Sequence, residues 1–503
     1  MPLYHFIARC FCFLIVCTSF NLQAMNPISA LGKLSDSLRE TTDGRVNLSG
    51  YINAHYMKHD GMPEFLERDP NEALIQVREA SIFADLLVTD NLLFSTELET
   101  SYDLSDKNAS GRDKRLKGAL NYYYFDFDIA AMRDWELDGL GNLNVRFGRI
   151  LVPFLQYNEN KPNFKQTLMS QPFTAWQVVP SNNAAIDFEQ YGWTDFGLML
   201  NWSREFNQGI LNLKVAVING LGVEGAVLDT NEVTLSSTMM MAMSMGSDMD
   251  SSMGSSMDMD PDMSSSMDSS MDMDSDMSSS MDTSMDTMMA VHPTVRVRDG
   301  LHNARSDWDD NSDINSDLAY SAKLTFTPYA LPLNIGVSLY SGAWDEDADQ
   351  NLTMTGIHVD LTQPRWHVKG EIVRAEVEQT AGLNPVVAMG PSGVNISTGD
   401  YSMSASYLEG AYSVKKYGDN NSQYVKLVLR YDRVNTNDEA SFTPFHRSRQ
   451  TFGVEWQFVK DVRLRAEHQR HTLEDFENAP GPFVAAGGEE EITMDMLSII
   501  ANF

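Results

Sequence analysis

The sequence predicts an all-β fold, a transmembrane antiparallel β-barrel of about 16 strands. Three observations carry that expectation. Side chains alternate with period two along most of the chain, the connections between alternating segments are short and long by turns, and beyond the N-terminus no apolar run approaches the roughly 18 residues that a membrane-spanning helix requires.

The alternation is clearest over 451–467. Phe452, Val454, Trp456 and Phe458 share one face, and Gly453, Glu455 and Gln457 share the other. Lys460-Asp461 then reads as a tight turn, after which Val462, Leu464 and Ala466 alternate with Arg463, Arg465 and Glu467. This is a hairpin with one apolar and one charged face. Segments of this kind fall at 46–57, 72–87, 92–103, 117–129, 143–151, 186–202, 210–221, 317–327, 333–343, 352–361, 365–379, 401–414, 423–435, 446–459, 461–472 and 491–503.

A soluble β-sandwich alternates too, so the connections decide. After even-numbered segments they are mostly short, as at 88–91, 204–209, 362–364 and 460–461; after odd-numbered ones they are long, as at 58–71, 152–185, 222–316, 380–400 and 471–490. Short periplasmic turns facing long outer loops are a barrel's signature, and a sandwich has no reason to sort its loops. Tyr122, Tyr123, Tyr124, Phe125 and Phe127 cluster in the fourth segment, while Trp202, Phe206, Trp344, Trp366 and Tyr431 fall near segment ends, where interfacial girdles are expected.

The ends of the chain fit export. Arg9 precedes an apolar run from Cys10 to Phe20, and Leu22-Gln23-Ala24 supplies a small residue for cleavage, so residues 1–24 are predicted to be a signal peptide and 25–45 a periplasmic lead-in to the barrel of 46–503. Cys17 follows Val16, where a lipoprotein signal wants a small residue. All three cysteines (Cys10, Cys12 and Cys17) lie in this segment, which excludes disulfides, thiolate zinc and cysteine nucleophiles from the mature chain. At the other end Leu497, Ile499, Ala501 and the terminal Phe503 keep one face. That pattern resembles the C-terminal signature of outer-membrane proteins, which implies the barrel-assembly machinery as a partner, outer-membrane lipid as surroundings and Phe503 as the assembly signal.

A net charge of −33 argues against nucleic acid, whose phosphates need a basic surface. The inward faces carry both signs. Arg146, Lys323, Lys369, Lys426, Arg430, Arg463 and Arg465 alternate into the same interior as Glu97, Glu99, Asp126, Asp128, Glu371, Glu455 and Glu467. The 152–185 connection, with Phe154, Tyr157, Phe164, Phe173, Trp176 and four prolines, has the composition of an ordered segment that folds inward, and Glu159, Lys161 and Lys165 are its candidates to face a passage. Just before it, Arg146-Phe147-Gly148-Arg149-Ile150-Leu151-Val152-Pro153-Phe154 resembles the strand-to-loop junction of porins of the phosphate-selective porin O/P type. The resemblance implies a passive pore for small hydrophilic or ionic solutes, adds Arg149 to the constriction candidates, and raises a homotrimer as one assembly. Phosphate selectivity needs a ladder of arginines and a lysine-rich constriction; the mixed signs here do not supply it.

The segment 236–290 stands apart. It is almost entirely Met, Asp, Ser, Gly and Thr, with Met at every fourth position: Met249, Met253, Met257, then Met259, Met263, Met267, Met271, then Met273, Met277, Met281, Met285. Ser, Asp and Gly are poor helix formers, so the segment is expected to be a disordered insert in an outer loop. Its thioethers are soft donors suited to Cu(I), and its carboxylates suit weak Ca²⁺ binding. The pattern is similar to Met-rich copper-handling proteins, including an outer-membrane copper-resistance family. That family mixes His with Met, whereas here the first His is His292. No other cofactor is expected. The remaining histidines are scattered without the serine or aspartate partners of a barrel hydrolase, so no enzymatic activity is expected; a scaffold for an electron conduit, which needs no haem motif of its own, stays open as an alternative.

Overall fold

The computed structural model describes residues 31–60, 74–102, 116–132, 141–160, 165–179, 192–221, 317–344, 348–378, 400–417, 423–436, 438, 446–474 and 490–503. Residues 1–24, expected to be a signal peptide, Lys161, Phe164 and the whole of 236–290 lie outside the described residues.

A helix over 31–41, α1, leads through Gly44, which supplies the positive φ of +78° needed to leave it, into the first strand. The strands are β1 (Val46–Asp60), β2 (Leu74–Thr89), β3 (Leu92–Tyr102), β4 (Leu116–Asp128), β5 (Asn142–Leu151), β6 (Thr194–Phe206), β7 (Gly209–Ile218) and β8 (Ala319–Pro328). They continue with β9 (Leu333–Ala343), β10 (Asn351–Thr362), β11 (Trp366–Val377), β12 (Tyr401–Tyr417), β13 (Gln423–Asn435), β14 (Arg447–Val459), β15 (Val462–Leu473) and β16 (Glu491–Asn502). A four-residue helix, α2 (Ile129–Met132), sits in the turn after β4.

Each strand pairs antiparallel with its sequence neighbours, and β1 pairs with β16, so the sheet closes as one barrel of 16 strands. The expected segments become these strands with ends shifted by a few residues. β6 starts at Thr194, and 186–191 of its expected segment lie outside the described residues. The closing seam includes the last residue: the Phe503 amide donates to the Gly50 carbonyl at 2.9 Å, and the Gly50 amide donates back at 3.2 Å.

Outward positions carry the apolar surface. Leu198, Leu339, Ile357, Ile372, Leu408 and Leu429 are all exposed, each between inward-facing neighbours on its strand. No described helix is long and apolar enough to cross a bilayer; the strands do the crossing. A closed barrel that turns aliphatic side chains outward and buries polar ones is built to stand in lipid, and bacterial barrels of this kind stand in the outer membrane. Trp366, its register partner Tyr412, and Phe206 and Tyr329 are exposed near the short-turn end. Trp344 departs from the girdle expectation. It is only 3% exposed and packs inside the barrel, where its indole N–H donates to the Glu378 carbonyl at 3.0 Å. Leu464 has outward parity yet is only 8% exposed, so its neighbours cover it.

Candidate functional site

The barrel does not enclose an open tube. After β5 the chain turns inward and fills part of the lumen. Val152, Phe154, Leu155, Phe173, Val178, Val179 and Trp193 are buried against Met199, Ile218, Tyr340, Leu352, Val373, Val377, Met403 and Val434, which line the outer ends of β6 to β13. Here the wall is apolar on its inner face, contrary to a uniformly wet lumen. Two inward glycines act as notches. A Cβ at Gly356 would come within 2.5 Å of a Leu155 methyl, and one at Gly453 within 2.4 Å of a Leu168 methyl.

Polar contacts fix the loop in this bed. A short helix, α3 (Gln156–Glu159), sits near its start, and a single π-turn (Thr174–Val178) near its end. Glu371 of β11 joins the two: it accepts from the Gln156 amide at 2.8 Å, the Tyr157 amide at 2.7 Å and the Thr174 hydroxyl at 3.1 Å. Lys323 of β8 donates to the Leu155 carbonyl at 2.7 Å, to Gln156 Oε1 at 2.9 Å and to Glu159 Oε2 at 2.7 Å. These bonds hold Leu155 at φ +55°, a region costly for a residue with a Cβ. Burial alone would push the Glu159 carboxyl up, but Lys323 and Lys214 outweigh it and hold it down at about 2.

A second clamp grips 166–173. Arg465 Nη1 donates to the Leu168 carbonyl at 2.8 Å and the Gln166 carbonyl at 3.2 Å. Arg430 donates to the Ser170 carbonyl at 2.8 Å and its hydroxyl at 2.6 Å, and Arg449 donates to the Gln171 carbonyl. Glu467 accepts from the Met169 amide and, at 2.8 Å, from the Ser170 hydroxyl. Asp432 ties the clamp together, bound to Arg430 at 2.8 Å and Arg449 at 3.1 Å, while both Arg447 and Arg449 lie over the Phe173 ring.

The sequence candidates therefore divide by role. Lys323, Lys369, Glu371, Arg430 and Arg465 bond to the inserted loop, Lys369 through Gln166 at 3.1 Å. Arg146, Lys426, Glu455 and Arg463 pair within the wall: Arg146 with Asp126 at 2.7 Å, and Glu455 with Lys426 at 3.0 Å and Arg463 at 3.3 Å. Glu97 and Glu99 face inward on β3, and Asn121 donates to both. Asp128 accepts from the Ala131 amide at the start of α2. Arg149 is corrected. It lies across from Phe196, which is exposed on the outer face, and its guanidinium reaches Thr194, so it does not line the lumen beside Arg146. Glu159 is half-buried between its lysines, and Lys165 is exposed.

Asp432, Arg447, Arg449 and Glu409, which pairs with Lys369 at 3.2 Å and accepts from the Thr167 hydroxyl, are participants that sequence reasoning passed over. Their alternation, Arg430-x-Asp432 and Arg447-x-Arg449, was available as a signal. A cavity of about 190 Å³ remains between the loop, at Gln156, Tyr157, Lys165 and Gln166, and the wall, at Asp360, His367, Lys369, Glu371 and Tyr407.

No protein-family model matches the chain, and no curated protein matches its sequence. Solved structures align along most of its length. The outer membrane channel DcaP of Acinetobacter baumannii aligns at 10% identity with a TM-score of 0.45, over 91% of this chain and 97% of that one. Salmonella typhi OmpF, solved in complex with daunomycin, gives 8% identity and a TM-score of 0.46 over 92% and 99%. A mutant of the Rh. blastica porin gives 10% identity and 0.38 over 91% and 100%. At these identities and TM-scores the likeness says nothing about solute, and the barrel stands on its own strand pairing.

Proposed function

We propose that this chain is a passive outer-membrane pore for small hydrophilic solutes and ions, narrowed by its own inserted loop. The observation that carries the reading is the loop itself, pinned to the lumen wall on two sides, by Lys323 and Glu371 on one and by Arg430, Arg449, Arg465 and Glu467 on the other. A barrel that served only as an anchor would not need a segment held across its interior by buried charges, which are costly to place there. The walls around the remaining space carry both signs, and fixed charge of this kind sets ion preference in pores.

Phosphate selectivity is not part of the reading, because Lys323, Arg430 and Arg465 already donate to the loop and, for the first two, to the carboxylates of Glu159 and Asp432. Assembly into homotrimers and insertion by the barrel-assembly machinery through Phe503 belong to the same proposal. The purified protein, added to a planar lipid bilayer, should open current steps that scale with salt concentration. A correctly folded, heat-modifiable barrel that passes no current at any voltage ends this reading.

A further inference from the structure

We propose a soft-metal site in the lumen, formed by Met57, Met169, Met494 and Met496, which takes a monovalent thiophilic cation such as Cu(I) or Ag(I). The four side chains form one buried cluster, none more than 3% exposed. They come from three separate places: β1, the inserted loop and β16. The register puts Met57 directly across from Met496, and Met496 directly across from Glu467 of β15; Met494 lies across from Gln469. The inserted loop completes the group from the other side, because the Met169 amide is bonded to Glu467.

Packing alone does not require sulfur here. Leu fills the volume of Met at little cost, and the largest apolar bed of this lumen mixes Val, Ile, Ala, Leu and aromatic residues with its methionines. This cluster is methionine alone, and its surroundings are polar: His55, Glu467, Gln469 and Ser498 are buried on the same inner face. Gln469 Nε2 already donates to the Met496 sulfur at 3.1 Å, so one thioether is oriented by a polar neighbour.

The chemistry selects the ion. Thioethers are soft, uncharged donors that favour Cu(I) over hard cations, and three or four of them complete its coordination. Zn²⁺ wants thiolate or imidazole, and Ca²⁺ wants six or more oxygens. Uncharged thioethers suit a monovalent ion here, because the one carboxylate beside the sulfurs, Glu467, is already engaged with the inserted loop. The site lies at the outer ends of β1 and β16, on the side of the long loops.

The test uses the full chain in detergent, dialysed against Ag(I) as a redox-inert probe and against Cu(I) buffered by bathocuproine disulfonate under argon. Wild type is compared with the triple variant Met57→Leu/Met494→Leu/Met496→Leu, which leaves every methionine of 236–290 in place. The variant should retain one ion fewer per chain; equal retention overturns the site. If the variant does not refold, ¹³C-methyl methionine spectra of the wild type decide. The first equivalent of Ag(I) taken up inside the barrel should shift methyl signals that a soluble relaxation agent cannot reach, assigned through single Leu substitutions. Shifts confined to signals that the agent reaches also overturn the proposal.

Discussion

Replacing Glu371 by Ala should free the inserted loop. Glu371 is 2% exposed and receives the amides of Gln156 and Tyr157 and the hydroxyl of Thr174. The hydroxyl can rotate to another acceptor, but the two amides cannot. A buried N–H left without an acceptor costs about 1–3 kcal/mol, so the pair costs about 2–6 kcal/mol of docking free energy. The cavity beside Glu371 admits water, which favours the low end of that range. Even about 2 kcal/mol raises the undocked population roughly thirtyfold. Lys323 and Glu159 still join loop to wall, and the backbone ladder of β11 does not use the Glu371 carboxylate, so the barrel itself stays intact. The assay is single-channel recording in a planar bilayer, paired with limited proteolysis of the loop from outside. Glu371→Ala should show larger or flickering steps and faster cleavage, and Glu371→Gln, which keeps an acceptor for the amides, should fall between it and wild type. An Ala variant with wild-type step size, noise and protease resistance refutes the claim that this carboxylate holds the loop.

Facing should be absolute along a strand. Leu429→Arg, on the lipid side at the middle of β13 and 63% exposed, should cost about 2–4 kcal/mol in refolding titrations, whereas Arg463→Gln on the lumen side should shift the reversal potential and cost less stability, because Lys426 stays paired with Glu455. Gly453→Ala should drive Leu168 from its notch at about 1–3 kcal/mol, read by thermal unfolding; adding Leu168→Ala should restore the melting temperature, and a failure to do so places the strain elsewhere. Glu159 is held at about 2 against an ordinary value of 4.5, so its contribution to docking is complete above 4.5 and fades only as pH falls toward 2. The conductance difference between wild type and Glu159→Gln should therefore persist at pH 4, and its disappearance between pH 5 and 4 contradicts the pairing with Lys323 and Lys214. Deleting Phe503 removes both seam bonds to Gly50 and should lower the yield of heat-modifiable barrel in cells; an unchanged yield removes Phe503 from assembly.

The strands could be read from the sequence because their cause is local. Alternation with a period of two marks a strand wherever it lies, and Lys460-Asp461 marks its turn whatever it packs against. Inward parity was just as readable for Arg463, Arg465 and Glu467. What each inward charge meets was not. Glu371 and Arg465 bond to residues about 200 to 300 positions away, and no spacing rule connects them. The apolar inner face at the outer ends of β6 to β13 did leave a trace. In β11, Ile372 and Val373 are adjacent apolar residues, and Ala375 and Val377 continue inward where a wet lumen would want polar side chains. Arg149 misled because it stands one position out of phase with Arg146 and Gly148, and a short motif match took no account of parity.

The grip on the inserted loop falls largely on its main chain. The wall takes the amides of Gln156, Tyr157, Met169 and Phe173, and the carbonyls of Leu155, Gln166, Leu168, Ser170 and Gln171. Every residue except proline offers those same two groups. Side chains along the loop that make no wall contact can thus be exchanged without loosening the fastening, while exchange of a single wall carboxylate or guanidinium undoes several bonds together. Such a barrel behaves as a socket with an interchangeable insert, and its solute preference can drift quickly over evolutionary time, or be rewritten by design, on a frame that stays constant.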